Sequence, residues 1–241
     1  MLASTIVDSH RSDQALLEWA ETAAPRIALD GPEDPSELEA VSEVFELVER
    51  TSPGNPAILR TLGYLHLRER RWDDARAAFD AAAAAGGDEP AARKHLDRAR
   101  LELTRGASDE AILQAELGLA CADLWYSTRD DLRDTLERAL GAAERGTDAL
   151  AVLDQRAADC GFSLVLHHRL ARERIARGDV AGAGAVLERA AAMPGILGTS
   201  ATEDERLSGS FEPIIAELEG GRRPVEARHL EMLLERIRGA N

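Results

Sequence analysis

The chain has 241 residues, enough to bury a substantial core, and a formal net charge of −15. That charge argues against non-specific nucleic-acid binding, which depends on neutralising phosphates. Hydrophobic residues reach 44% but aromatics only 4%; Ala and Leu dominate, both favour helix, and an all-α chain is expected.

The charge is uneven, with 12 acids against 3 Arg in residues 1–50. Lys94 is the sole lysine, so lysine chemistry is confined to it. Cys121 and Cys160 form no CxxC pair and no disulfide framework, which points to a reducing, cytoplasmic compartment. The opening "MLASTIVDSH" lacks a basic region and a long apolar stretch, so no secretory signal is expected. No run reaches the length of a membrane span, and no membrane role is expected.

In chain order, residues 1–11 read as a flexible N-terminus. Helices are predicted over 12–24, 36–51, 56–69, 72–85, 90–105, 109–124, 129–145, 148–159, 162–177, 180–192, 203–219 and 224–238. Ser36-x-x-Glu39, Thr128-x-x-Asp131 and Thr202-x-x-Glu205 have capping-box spacing. Ser12, Ser108, Thr147 and Asp179 read as simple N-caps. Stops fall at Pro53-Gly54, Gly86-Gly87, Gly106, Gly146, Gly161, Gly178, Pro194-Gly195 and Gly220-Gly221. Short loops make sequence neighbours pack antiparallel. No low-complexity linker divides the chain, so 12–241 reads as a single domain.

A period runs through these helices. Residues 59–82 read Leu59, Leu62-Gly63, Trp72, Ala75, Phe79, Ala82. A unit of Ala-x-x-x-large, or its near equivalent, recurs at Val41–Phe45, Ala75–Phe79, Ala111–Ala115, Ala149–Leu153 and Ala183–Leu187. The successive spacings are 34, 36, 38 and 34 residues. This pattern resembles the tetratricopeptide repeat, with His66 where an aromatic is expected and Pro53 at the place of the helix-ending proline. The resemblance implies a right-handed α-α superhelix, a TPR-like solenoid of about six helix pairs. Small Ala75 and Ala82 permit close helix approach, Phe79 fills the gap between pairs, and stacking buries the face each pair leaves open. A generic Ala-rich helical bundle is the competing architecture. Helix 224–238 is amphipathic and suits a solenoid cap, or else a dimerisation surface, so a homo-oligomer stays open.

No local motif carries bond chemistry. His167-His168 are adjacent, so about 100° apart on a helix, and one core-facing and one surface-facing histidine is expected. His66-x-x-Glu69 is at most half a metal site. Asp130, Asp131 and Asp134 suit a helix start. Cys121 reads as a small core residue, and Cys160, at a helix end, as an exposed one with no base beside it. Gly182 and Gly184 read as close-packing sites. No metal, no cofactor and no catalytic residue is expected, and the protein is read as a non-enzyme.

The resemblance implies a concave face lined by the first helix of each pair. Carried over, that face holds Arg60, Tyr64 and Arg68 on 56–69, Arg100 on 90–105, and His168, Arg169 and Arg172 on 162–177. Arg suits bidentate carboxylate pairing and Tyr an amphipathic anchor, so the expected partner is a protein or peptide with an acidic segment. Carboxylate-clamp members of the family place Asn beside their cations. Tyr64 occupies that place here, which speaks against chaperone-tail binding of that kind. The acidic stretch 30–49 offers a competing surface for a basic partner, and the arginines are otherwise ordinary solvated residues. The expected function is a scaffold or adaptor; the alternatives are a recruiting module for a separate enzyme, or a helical enzyme without a local motif.

Overall fold

The computed structural model describes residues 54–86, 91–122, 124–160 and 163–192, together with Arg228, Glu231 and Met232. The helices expected at 12–24, 36–51 and 203–219 and the acidic stretch 30–49 lie outside the described residues, as does all but those three residues of 224–238. Among the described residues there are eight α-helices and no strand: α1 Pro56–Arg68, α2 Trp72–Ala85, α3 Ala91–Arg105, α4 Ser108–Leu119, α5 Tyr126–Ala142, α6 Gly146–Asp159, α7 Leu164–Ala176 and α8 Val180–Ala192. They fall into two compact units, one ending at Glu144 and one beginning at Arg145. In the first, α1 packs on α2, α3 on α4, and α3 also on α2 and α5. In the second, α7 packs on α6 and on α8.

The repeat positions explain this packing. Ala75, Phe79, Ala82, Ala111, Ala115, Ala149, Leu153, Ala183 and Leu187 are all buried. The aromatic of the first pair sets its own clearance. A Cβ at Gly63 would overlap the edge of the Phe79 ring, so α1 and α2 cross where α1 has no side chain. Leu132 makes the same demand on Gly118, between α4 and α5.

The turns that follow α1, α3, α5 and α7 repeat as strictly as the core. Arg70, Gly106, Glu144 and Gly178 are all left-handed, with φ of 59°, 87°, 59° and 80°. Two of the four lack the glycine that such a backbone favours.

Helix ends depart from expectation in a few places. Asn55 caps α1, its Oδ1 accepting from the Ala57 amide at 2.9 Å, ahead of Pro56 at the first helical position. Asp179 caps α8 as expected, accepting from Gly182 N at 2.9 Å. Ser108 and Thr147 instead lie inside their helices, behind Ala107 and Arg145. The stretch after Leu119 does not continue α4. The Ala120 amide closes onto Glu116 O and the Cys121 amide onto Gly118 O, which tightens and ends the turn. α5 then starts three residues early, at Tyr126, behind an extended Trp125. Thr128 is therefore buried within the helix and is no cap. Gly146 starts α6 instead of ending α5, because Glu144 makes the turn.

Gly63→Ala should lower stability by about 1–3 kcal/mol in urea unfolding, the cost of overpacking. Adding Phe79→Leu should recover part of that loss. At the turns, Arg70→Gly should raise stability and Gly106→Ala lower it, each by about 1 kcal/mol.

Candidate partner-binding site

Four of the seven nominated side chains lie on the first helices of successive pairs in the first unit, and three of them meet. The Arg60 Nε donates to Asp97 Oδ2 at 2.9 Å, and the Tyr64 hydroxyl donates to Asp97 Oδ1 at 2.6 Å. Arg100 donates from its guanidinium to the Tyr64 oxygen at 2.9 Å and lies over the same ring, 5.6 Å from its centre. A second Arg100 nitrogen reaches Asp131 on α5 at 3.3 Å. Arg93, one turn before Asp97, stands 3.9 Å from it. A continuous polar chain thus runs Arg60, Asp97, Tyr64, Arg100, Asp131, from α1 through α3 to α5.

Tyr64 is therefore not an exposed anchor: it is 2% exposed, and its ring packs edge-on against Phe79 at 5.1 Å. Arg60 and Arg100 keep only 11% and 17% of their side chains in solvent. Arg68 is exposed. In the second unit Arg169 and Arg172 are exposed on α7, whereas His168 is buried. His167 is buried too, its Nδ1 2.8 Å from Ser163 O. The expected split into a core and a surface histidine fails because α7 is covered from two sides, by α6 and α8.

The missing residue in the sequence reading is Asp97. Its place in the repeat is held by Thr61 and Thr135 in the pairs before and after, and all three are buried. The threonines satisfy themselves, donating to the carbonyls of Ala57 and Asp131 four residues back, at 3.0 and 2.8 Å. A carboxylate cannot donate, so Asp97 draws donors from the neighbouring helix.

The electrostatics follow. Burial first, then the Asp97 charge, hold the Tyr64 phenol protonated well above the usual tyrosine range, against the opposing pull of Arg100 and Arg93. Burial alone would weaken the Arg100 charge, but Tyr64 and the Asp131 and Asp97 carboxylates more than offset it.

Other candidates resolve simply. His66 Nδ1 and Glu69 Oε2 are 3.8 Å apart, and among the described residues no three His, Cys, Asp or Glu side chains are placed to hold a metal ion. Asp130 and Asp131 sit in the second turn of α5, since that helix begins at Tyr126, so a helix-start role does not apply. Cys121 is only half-buried and Cys160 is buried, the reverse of expectation; Cys160 closes α6, donating its amide to Arg156 O. Gly182 is a close-packing site: a Cβ there would overlap the Asp179 side chain and the Arg174 guanidinium of α7. No helix among the described residues is long and apolar enough to cross a membrane.

Solved structures share the fold. PilF of Pseudomonas aeruginosa superposes with a TM-score of 0.53 at 14% identity, covering 89% of this chain and 98% of its own. The C-terminal part of a TPR repeat-containing protein of Cytophaga hutchinsonii gives 0.53 at 11%, covering 90% and 78%. A Podospora anserina kinesin light chain protein with nearly identical TPR-like repeats gives 0.50 at 19%, covering 75% and 95%. The fold is that of the tetratricopeptide repeat. No family model matches the sequence, and no curated protein matches it. The identities are low, so what the TPR-type neighbours share with this chain is the architecture of stacked helix pairs.

In a Tyr126→Phe background Tyr64 is the remaining tyrosine, and its near-ultraviolet phenolate absorbance should appear only as the protein unfolds. Below the ordinary tyrosine value both states keep the phenol proton, and the Tyr64 contribution is full. As pH climbs beyond about 10 only the unfolded chain releases it, so the thermal midpoint should fall, and Tyr64→Phe should flatten that fall. Asp97→Ala should cost about 3–5 kcal/mol in urea unfolding, as expected when one partner of a buried charge network is removed.

Proposed function

We propose that the protein is a non-enzymatic cytoplasmic scaffold or adaptor of the TPR-like type. It holds a protein or peptide partner, by an acidic segment, on the first helices of its pairs. The observation that carries this reading is the polar chain from Arg60 to Asp131. It fixes α1, α3 and α5 side by side and spends buried charge on doing so, as a surface that must keep its shape requires. Arg60, Tyr64 and Arg100 act here from within, setting the spacing of the face, with the two arginine side chains largely buried. Arg68 supplies an exposed cation in the first unit. Arg169 and Arg172 supply two in the second, where His168 packs beneath. The fold itself supports an interaction role, since stacked helix pairs present extended surfaces with no chemistry of their own. The chain holds only two cysteines and no CxxC pair, a usage that supports the cytoplasmic assignment. The negative net charge supports a partner other than nucleic acid.

The test is selection from a random displayed peptide library, followed by calorimetric titration of the winners. Acidic peptides should be enriched. Arg68→Ala, or the pair Arg169→Ala and Arg172→Ala, should weaken the binding by about three- to tenfold per arginine. Winners without acidic residues, or winners indifferent to all three arginines, would remove the proposed face.

A further inference from the structure

α3 carries two polar stripes, each spaced i, i+4, i+7. Asp97 and Arg100 face α1 and α5 through the contacts above, with Arg93 one turn before Asp97 on the same stripe. Arg98, Glu102 and Arg105 form the other, and it opens on a cleft of about 430 Å³ shared with Arg76 of α2 and Glu110 and Gln114 of α4. That size suits a few side-chain-sized groups. Glu102 is the buried charged member of the wall, next to buried Leu101. Arg76 donates to its Oε1 at 3.1 Å, and Arg105 lies 3.2 Å from its Oε2. Arg98 is fixed from the other side by Asp80 at 3.0 Å, and Gln114 donates to Glu110 at 2.9 Å.

One buried carboxylate therefore orients two guanidiniums from different helices, with a third beside them. Each guanidinium has five N–H donors in a rigid fork, and the contacts just described use one or two of them. All three arginines remain about half-exposed at the mouth of the cleft.

The geometry points to a second binding site, in which Arg76, Arg98 and Arg105 take a carboxylate side chain of an acidic peptide. A carboxylate fits better than a phosphate for two reasons. A planar oxyanion matches the fork bidentately with one negative charge. A dianion would meet Glu102 and Glu110 in the same wall with twice the charge of a single carboxylate. The site is independent of the face proposed above, since it uses the opposite stripe of α3.

The experiment follows the Arg Nε–Hε resonances of the full chain during titration with a capped peptide of alternating Gly and Glu. The controls are the matching Gly–Gln peptide and inorganic phosphate. Resonances of Arg76, Arg98 and Arg105 should shift and saturate with the Glu peptide alone. Arg98→Gln should weaken that binding at least about threefold with an unchanged thermal midpoint, since its pair with Asp80 is solvent-exposed. Unmoved resonances, equal shifts with the Gln peptide, or tighter binding of phosphate would each overturn the assignment. Because the readout is at these three arginines, its failure leaves the α1–α3–α5 face untouched, and failure of that face leaves this site standing.

Discussion

A carboxylate removed from water must be met by donors, and in the first unit that requirement falls on Asp97. Its two oxygens take Tyr64 and Arg60, both from the helix before it in the array. The Tyr64 oxygen in turn accepts from Arg100, which reaches on to Asp131 in the helix after it. One buried charge thus sets the register of three helices that are not neighbours in sequence. The net gain in stability from such a group is small, because desolvation offsets most of the attraction. What it contributes is selectivity: a rotation of α1 by one residue would leave Asp97 without its partners. Apolar contacts among Ala, Leu and Phe tolerate such shifts far better.

The same logic separates the two sides of α3. On one stripe the carboxylate is central and the cations are drawn inward, so charge is consumed in the structure. On the other, Glu102 is buried but the cations it holds stay at the surface. An internal acid can hide a cation, as with Arg60 on Asp97, or present it, as with Arg76 and Arg105 on Glu102. Counting arginines on a helix therefore says little about which of them a partner can reach.

Much of the fold was legible in the sequence because helix pairs write themselves in small residues. Ala75, Ala82, Ala111, Ala115, Ala149 and Ala183 mark close approaches that larger side chains would block, and their spacing is the period itself. Asp179 could be read as a cap because a cap is a local contact. The site was legible only in part. Arg60, Tyr64 and Arg100 could be singled out by their place in the repeat, but not their role, because the period gives a position within a pair and no partner across pairs. Asp97 was passed over for that reason. The signal available was its repeat place, shared with Thr61 and Thr135: a polar residue recurring where the neighbouring helix must lie. His167 and His168 misled in the opposite sense, since alternation on a helix predicts one buried face and α7 has two.

The four left-handed turns bear on how the array assembles. A non-glycine residue in that conformation costs roughly 1–2 kcal/mol, so the hairpin turned by Arg70 must recover that cost from contacts made after closure. Gly106 and Gly178 close theirs without it. Each compact unit holds one of these easy turns, between α3 and α4 in the first and between α7 and α8 in the second. In a quasi-linear array any pair can serve as the nucleus. The cheapest local closure favours those two hairpins as seeds, with α1 and α2 added to the first once Asp97 is in place to receive Arg60 and Tyr64.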